Sequence, residues 1–135
     1  MESNEIIDLS KYRLEQAREN LEEAEALFKI RKYKGASNRA YYSIFHAMKS
    51  VLALRQIDFK KHSSVIAYFN KEYFAKNIFP RELGKGVSEA SFFREKSDYV
   101  DFYIVTRDEC NKQIETAKKM IECVEKYIKE NNLFP

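Results

Sequence analysis

Arg39 and His46 are the two residues whose types and spacing best suit chemistry on a phosphate group. They lie seven residues apart in a stretch of helical pattern, which is close to two helical turns. The two side chains therefore share one stripe, separated by about 20° around the helix axis. Arg can bind a phosphate through two hydrogen bonds, and His can transfer a proton near neutral pH. The spacing also fits a structural alternative, in which Arg39 pairs with the acidic first helix and His46 is a core histidine.

Four neighbours of this pair are further candidates. Asn38 directly precedes Arg39 and could support it, and Tyr42 lies one turn from both Arg39 and His46. Aromatic residues are poor helix formers, so Tyr42 is explained most simply by packing. Lys32 and Lys34 belong to a basic cluster that precedes the helix. They could contact phosphates, although a solvated helix face is the simpler interpretation.

A second histidine, His62, follows Lys60 and Lys61. We interpret this segment as the polar start of a third helix. The functional alternative is a second phosphate contact near a helix N-terminus. The segment follows the C-terminal end of the helix that carries Arg39 near its start. We therefore expect that only a fold-back of the chain, or a partner subunit, brings His62 to Arg39.

Arg94 and Asp98 stand four residues apart, with Tyr99 next to Asp98. An Arg–Asp pair at this spacing ties one turn of a helix to the next and contributes a few tenths of a kcal/mol. We favour a structural role for the pair. Asp98 could hold Arg94, or it could hold Arg39 from across the bundle.

The candidates must be positioned by helices, because apolar residues recur at helical spacing along the first half of the chain. The first predicted helix runs from Ser10 to about Ile30 and is capped by Asp8 or Ser10. The second, which carries Arg39 and His46, runs from about Lys34 to Arg55. A connection over Gln56–Lys61 leads to a third helix, from Ser63 through Phe74.

The segment from Asn77 to Val105 is harder to assign from its sequence. Pro80 suits the first turn of a new helix, whereas Gly84-Lys85-Gly86 could interrupt or split that helix. We place helix again from about Ser88 to Ser97. Ser97–Val105 could be extended, but no partner strand is evident elsewhere. Thr106 and Glu109 then form a capping box that opens a last amphipathic helix.

Composition predicts one all-α domain over residues 1–135. Apolar residues at helical spacing, 33% charged residues and only 3 Gly and 2 Pro favour an up-and-down bundle of about four to five helices. The net charge of +3 permits nucleic-acid binding without indicating it. Cys110 and Cys123 are predicted to lie on one helix too far apart for a disulfide, which suits a reducing cytoplasm. No apolar run approaches the length of a membrane span, and the acidic N-terminus is unlike a signal peptide.

The order of several short motifs resembles the HEPN family, specifically its small prokaryotic members. The resemblance runs from about Leu9 to Ile128 and rests on Arg39-Ala40-Tyr41-Tyr42 with Phe45-His46-Ala47, on Lys61-His62-Ser63, and on Arg94 with Asp98-Tyr99. It implies a HEPN-type helical bundle. It also implies a homodimer that pairs the motif helices of two protomers.

The resemblance implies two classes of function. One is a metal-independent endoribonuclease of toxin or defence type, in which Arg39 holds the scissile phosphate and His46 moves protons. The other is a non-catalytic HEPN partner that binds a nucleotidyltransferase, a nucleotide or both. A nucleotidyltransferase that modifies a tyrosine gives Tyr42 a further role by resemblance.

Motifs for other chemistries are missing from the sequence. It has no phosphate-binding GxxxxGK[ST], no GxGxxG and no Cys/His metal cluster. We therefore expect neither a metal nor a cofactor. A small nucleotidyltransferase acting as an antitoxin, and RNA or a nucleotide, are the expected partners.

Overall fold

The computed structural model describes residues 2–135, which form five α-helices joined by short connections. The helices are α1 (Ser3–Lys29), α2 (Tyr33–Leu54), α3 (His62–Phe69), α4 (Arg81–Tyr99) and α5 (Arg107–Glu130), with a π-helical turn at Asn70–Phe74 after α3. The predicted all-α bundle is confirmed. No strand occurs among residues 2–135, and Ser97–Val105 holds the end of α4 and a loop.

Helix α2 is the central element and packs against each of the other four helices. Its apolar side chains, among them Tyr41, Ile44, Met48 and Leu52, are fully buried. Its small residues Ala36, Ala40, Ser43 and Ala47 are also fully buried. Ser43 donates a hydrogen bond of 2.8 Å to the Ala17 carbonyl. These small residues let α1 approach α2 closely within one protomer, so they are not a surface for a second copy.

The predicted start of α1 is wrong. The helix begins at Ser3, after the extended Glu2, and no side chain caps it. Ile6 and Ile7 are partly buried and extend the apolar stripe toward the N-terminus. Ser10 does not cap a helix, because its hydroxyl donates to the Ser50 carbonyl of α2 at 2.8 Å inside the core.

Helix α4 is longer than predicted and runs through both of its glycines. A Cβ at Gly84 would lie 2.9 Å from the ring of Phe74, and one at Gly86 would lie 2.7 Å from Thr116 Oγ1. Both glycines therefore permit close helix packing and do not interrupt the helix.

Helix α5 begins as predicted, with the reciprocal capping box of Thr106 and Glu109. Cys110 and Cys123 both lie on α5 and are free thiols. Among residues 2–135, no helix combines the length and the apolar character that crossing a bilayer requires.

Candidate functional site

Arg39 lies at the surface of α2, held by side chains of α1 and by its own neighbour. Its guanidinium donates to Asn38 Oδ1 at 2.6 Å and to Asn20 Oδ1 at 3.2 Å. Glu23 Oε2 lies 3.8 Å away and forms a weak ion pair. The Arg39 side chain nevertheless keeps 37% of its surface exposed. The guanidinium is thus oriented by two amide oxygens and remains open to an incoming anion.

Asn20 is a site residue that the sequence did not reveal. It is buried, and its amide nitrogen donates to the Gln16 carbonyl one turn earlier at 2.8 Å. That hydrogen bond points the amide oxygen at Arg39. An Asn in the middle of an amphipathic helix gave no local signal, because its partner belongs to another helix.

His46 is half-buried on the same stripe of α2, two turns after Arg39. The rings of Tyr42 and Phe45 lie 6.4 Å and 6.1 Å from the imidazole, measured between centroids. Its imidazole has no hydrogen-bond partner within residues 2–135. Burial lowers the pKa of His46, and the nearby charges of Lys49, Arg13, His62 and Arg39 lower it further. The ring is therefore mainly neutral near pH 7 and can accept a proton.

Tyr42 lies between Arg39 and His46 on this stripe of α2. The guanidinium carbons of Arg39 and Arg94 lie 5.3 Å and 5.6 Å from the centroid of its ring. Arg94 also donates to the Tyr42 hydroxyl at 3.2 Å. Two cations thus share one aromatic ring, which holds both guanidinium groups near the same half-buried side chain.

Arg94 was expected to play only a local structural role. The expected ion pair of Arg94 with Asp98 is present at 3.4 Å. The alternative pair of Asp98 with Arg39 is not found within residues 2–135, where Arg39 pairs with Glu23. The contact of Arg94 with Tyr42 joins residues 52 positions apart. The sequence did not indicate this contact, because the four-residue spacing of Arg94 and Asp98 was already explained by a local ion pair.

His62 reaches the middle of α2 within a single protomer. After α2 ends, Ile57 and Phe59 pack on the core, and Lys49 forms an ion pair of 3.0 Å with Asp58. These contacts fold the connection back along α2. The fold-back therefore brings His62 to Tyr42 and Phe45, but no contact between His62 and Arg39, which the prediction required, is found within residues 2–135.

His62 is the first residue of α3, which confirms the segment as a helix start, and its ring also has specific neighbours there. Its ring stacks on Phe45 with 4.0 Å between centroids, and its Nδ1 lies 2.9 Å from the Tyr41 hydroxyl. It also lies edge-on to Tyr42 at 5.9 Å. Burial and the charges of Arg94 and Lys49 lower the pKa of His62.

Lys32 and Lys34 stand apart from this arrangement. Both are exposed at the beginning of α2, Lys32 just before the helix and Lys34 in its first turn. Neither ammonium group forms an ion pair within the described part of the chain. They can add positive charge around Arg39, but they do not contact the site residues.

The site therefore combines two guanidinium groups with two imidazoles around one aromatic cluster, which we call the α2 cluster (Arg39, Tyr41, Tyr42, Phe45, His46, His62 and Arg94). Guanidinium groups bind phosphate, and imidazoles transfer protons. Within residues 2–135, no three His, Cys, Asp or Glu side chains lie close enough together to hold a metal ion.

The sequence of the chain is similar to those of several known proteins. The chain is 30% identical to "UPF0332 protein" of Thermotoga maritima over 127 residues, which cover 94% of this chain and 96% of that protein. It is 32% identical to "Putative toxin MJ0605" of Methanocaldococcus jannaschii over 117 residues, which cover 87% of each chain. "Putative toxin MJ0142" of the same organism is 30% identical over 120 residues, which cover 89% of this chain and 82% of that protein.

The family comparison agrees with these relatives. Residues 10–127, from within α1 to the last turn of α5, match the sequence profile described as HEPN domain. That span contains every residue of the α2 cluster. The chain therefore belongs to the HEPN family.

Proposed function

We propose that this protein is a metal-independent endoribonuclease of toxin type that acts as a dimer in the cytoplasm. One observation carries the proposal. Arg39 and His46 share an open stripe of α2, with Arg39 37% exposed and His46 free of any hydrogen bond within residues 2–135. The toxin names of two relatives support the same class.

The proposed reaction uses the 2′-hydroxyl of RNA as its nucleophile. His46, neutral near pH 7, accepts a proton from the reacting groups. Arg39, oriented by Asn20 and Asn38, binds the phosphate and stabilises the negative charge that develops on it. The products are a 2′,3′-cyclic phosphate and a 5′-hydroxyl.

A non-catalytic HEPN partner, binding a nucleotidyltransferase or a nucleotide, is the competing function. It would be favoured by a deeply buried His46 bonded to the protein. His46 is half-buried and has no such bond within residues 2–135, which favours the nuclease. A small nucleotidyltransferase fits the proposal as the antitoxin that restrains the enzyme.

The dimer supplies the rest of the proposed site, since two α2 stripes facing one another would place two Arg39 and two His46 side chains around one RNA strand. The buried small residues of α2 cannot form this interface. We expect sedimentation at micromolar concentration to give about twice the chain mass of 16.0 kDa. A strict monomer would remove the composite site.

The proposal is tested with purified protein, single-stranded RNA and EDTA. We expect cleavage that leaves a cyclic phosphate, stops at a position carrying a 2′-deoxy sugar, and weakens as salt rises. His46→Asn should remain folded and lose cleavage. If wild-type dimer leaves varied RNAs intact, the nuclease is excluded and the non-catalytic partner remains.

A further inference from the structure

The chain contains two histidines, and the fold brings both to the same rings. His46 belongs to α2 and His62 begins α3. Both rings lie within 6.4 Å of the Tyr42 ring and within 6.1 Å of the Phe45 ring, measured between centroids. Cleavage of RNA through its 2′-hydroxyl needs two proton transfers, one from the nucleophile and one to the leaving oxygen. One protomer therefore holds two groups able to perform them.

His62 has a polar partner that can accommodate both of its protonation states. The Tyr41 hydroxyl, 2.9 Å from His62 Nδ1, is on a side chain only 1% exposed. Burial raises the pKa of Tyr41 to about 12, so the hydroxyl keeps its proton. It can donate to Nδ1 of a neutral His62, or accept from Nδ1 of a protonated one.

We propose that His62 is the general acid of the reaction and that His46 is its general base. This inference rests on the proposed ribonuclease function. His46 removes the proton of the 2′-hydroxyl, and the 2′-oxygen forms a bond to phosphorus. The bond from phosphorus to the 5′-oxygen breaks, and His62 Nε2 gives its proton to that oxygen. The cycle ends with a protonated His46 and a neutral His62, and exchange with water restores both.

The surroundings of the two rings favour His46 as the base and His62 as the acid. His46 faces Arg13 of α1, Arg39 and Lys49 of α2, and His62. Within residues 2–135 it has no acceptor for a second N–H. His62 faces Arg94 of α4 and Lys49, but the Tyr41 oxygen can accept its Nδ1–H and stabilise the imidazolium. Asp58 pairs with Lys49 and partly offsets that charge.

The competing explanation is that His62 only tethers the start of α3 to Tyr41. The variant His62→Asn separates the two roles, because an amide can occupy the place of Nδ1 and bond Tyr41 but cannot act as an acid. A tether predicts that His62→Asn cleaves RNA like wild type. An acid predicts a folded protein whose kcat/KM falls about 100-fold or more.

The decisive substrate is RNA whose 5′-bridging oxygen is replaced by sulfur, since a thiolate leaves without being protonated. We expect His62→Asn to cleave this substrate at close to the wild-type rate, and His46→Asn to remain inactive on it. The wild-type pH profile on ordinary RNA should be bell-shaped. His62→Asn should lose its high-pH decline on the same substrate.

Each unfavourable result has a separate meaning. If His62→Asn cleaves ordinary RNA normally, or loses activity equally on both substrates, His62 is not the acid although the ribonuclease stands. If His62→Asn does not fold, the wild-type profile decides, and a profile without a high-pH decline overturns the assignment. If wild type cleaves no RNA, the proposed function fails and this inference falls with it.

Discussion

The guanidinium of Arg94, on α4, donates a hydrogen bond of 3.2 Å to the hydroxyl of Tyr42, on α2. The same guanidinium lies over the rings of Tyr41 and Tyr42 at 5.3 Å and 5.6 Å. Its side chain is only 20% exposed and pairs with Asp98. This contact links α4 to the central helix at Tyr42, whose ring also lies near Arg39 and both histidines.

We expect Arg94 and Tyr42 to be energetically coupled. Tyr42→Phe removes only the acceptor of the hydrogen bond, and Arg94→Ala removes the donor and the cation. In a double-mutant cycle of unfolding free energies, the coupling should be about 0.5–1.5 kcal/mol.

Arg107→Ala is the matched control for Arg94→Ala. Arg107 lies over the ring of Phe28 at 5.1 Å, but it is exposed and belongs to α5. Its effect should add to that of Tyr42→Phe without coupling. Additivity in the Arg94 cycle as well would show that the hydrogen bond contributes nothing.

The sequence predicted the helices well where apolar residues recur regularly at helical spacing. The core stripes of α2 and α5 and the capping box at Thr106 are local patterns, so their elements appeared with nearly correct bounds. The start of α1 and the length of α4 were missed. In the sequence alone, Ser10 looks like a helix cap and the glycines of α4 look like helix breaks. Their actual roles depend on contacts with other parts of the fold, which the sequence does not show.

The site was predictable only in part, for the same physical reason. Arg39, His46 and Tyr42 share one helix, so their common face follows from spacing. Asn20, Arg94 and Tyr41 take part through contacts between helices, which no local pattern encodes. His62 was identified as a candidate, but the fold-back that positions it depends on packing of the connection after α2.

The glycines of α4 give a prediction about packing. Gly84→Ala should destabilise the protein by about 1–3 kcal/mol, because the added methyl would meet the Phe74 ring at 2.9 Å. Gly35→Ala in α2 is the control. Its methyl would meet only the flexible end of Leu27, at 3.3 Å, so the helix preference for Ala should leave stability unchanged or raise it by up to about 1 kcal/mol. Urea unfolding measures both, and equal effects would contradict the close-packing account.

Both histidines predict a fall in stability on mild acidification. Burial holds their pKa values in the folded protein below the ordinary value of 6.5. Near and below that value the unfolded chain binds more protons than the folded one. The stabilisation is therefore fully present above about pH 6.5 and is lost as the pH falls toward the folded pKa values.

The measurement is the free energy of unfolding at about pH 7.5 and pH 5.5. We expect a lower value at the acidic pH, and a smaller difference in His46→Asn, which lacks one of the two groups. Asp58 does not interfere, because its pKa is lowered from an ordinary value of 3.8 and it titrates at more acidic pH. A wild-type stability that is flat or rises over this interval would be incompatible with the burial of the two imidazoles.

Cleavage of single-stranded RNA by Arg39→Ala in EDTA tests the central claim most directly, with Arg18→Ala as its matched control. Arg18 is also a partly exposed surface arginine, at 41%, and pairs with Glu125 at 2.7 Å, away from the α2 cluster. Both variants should stay within about 1 kcal/mol of wild-type stability, as exposed ion pairs contribute little. We predict that Arg18→Ala cleaves at the wild-type rate and that Arg39→Ala is slower by about 100-fold or more. Equal cleavage by the two variants, or an Arg39→Ala that unfolds, would contradict a phosphate-binding role for Arg39.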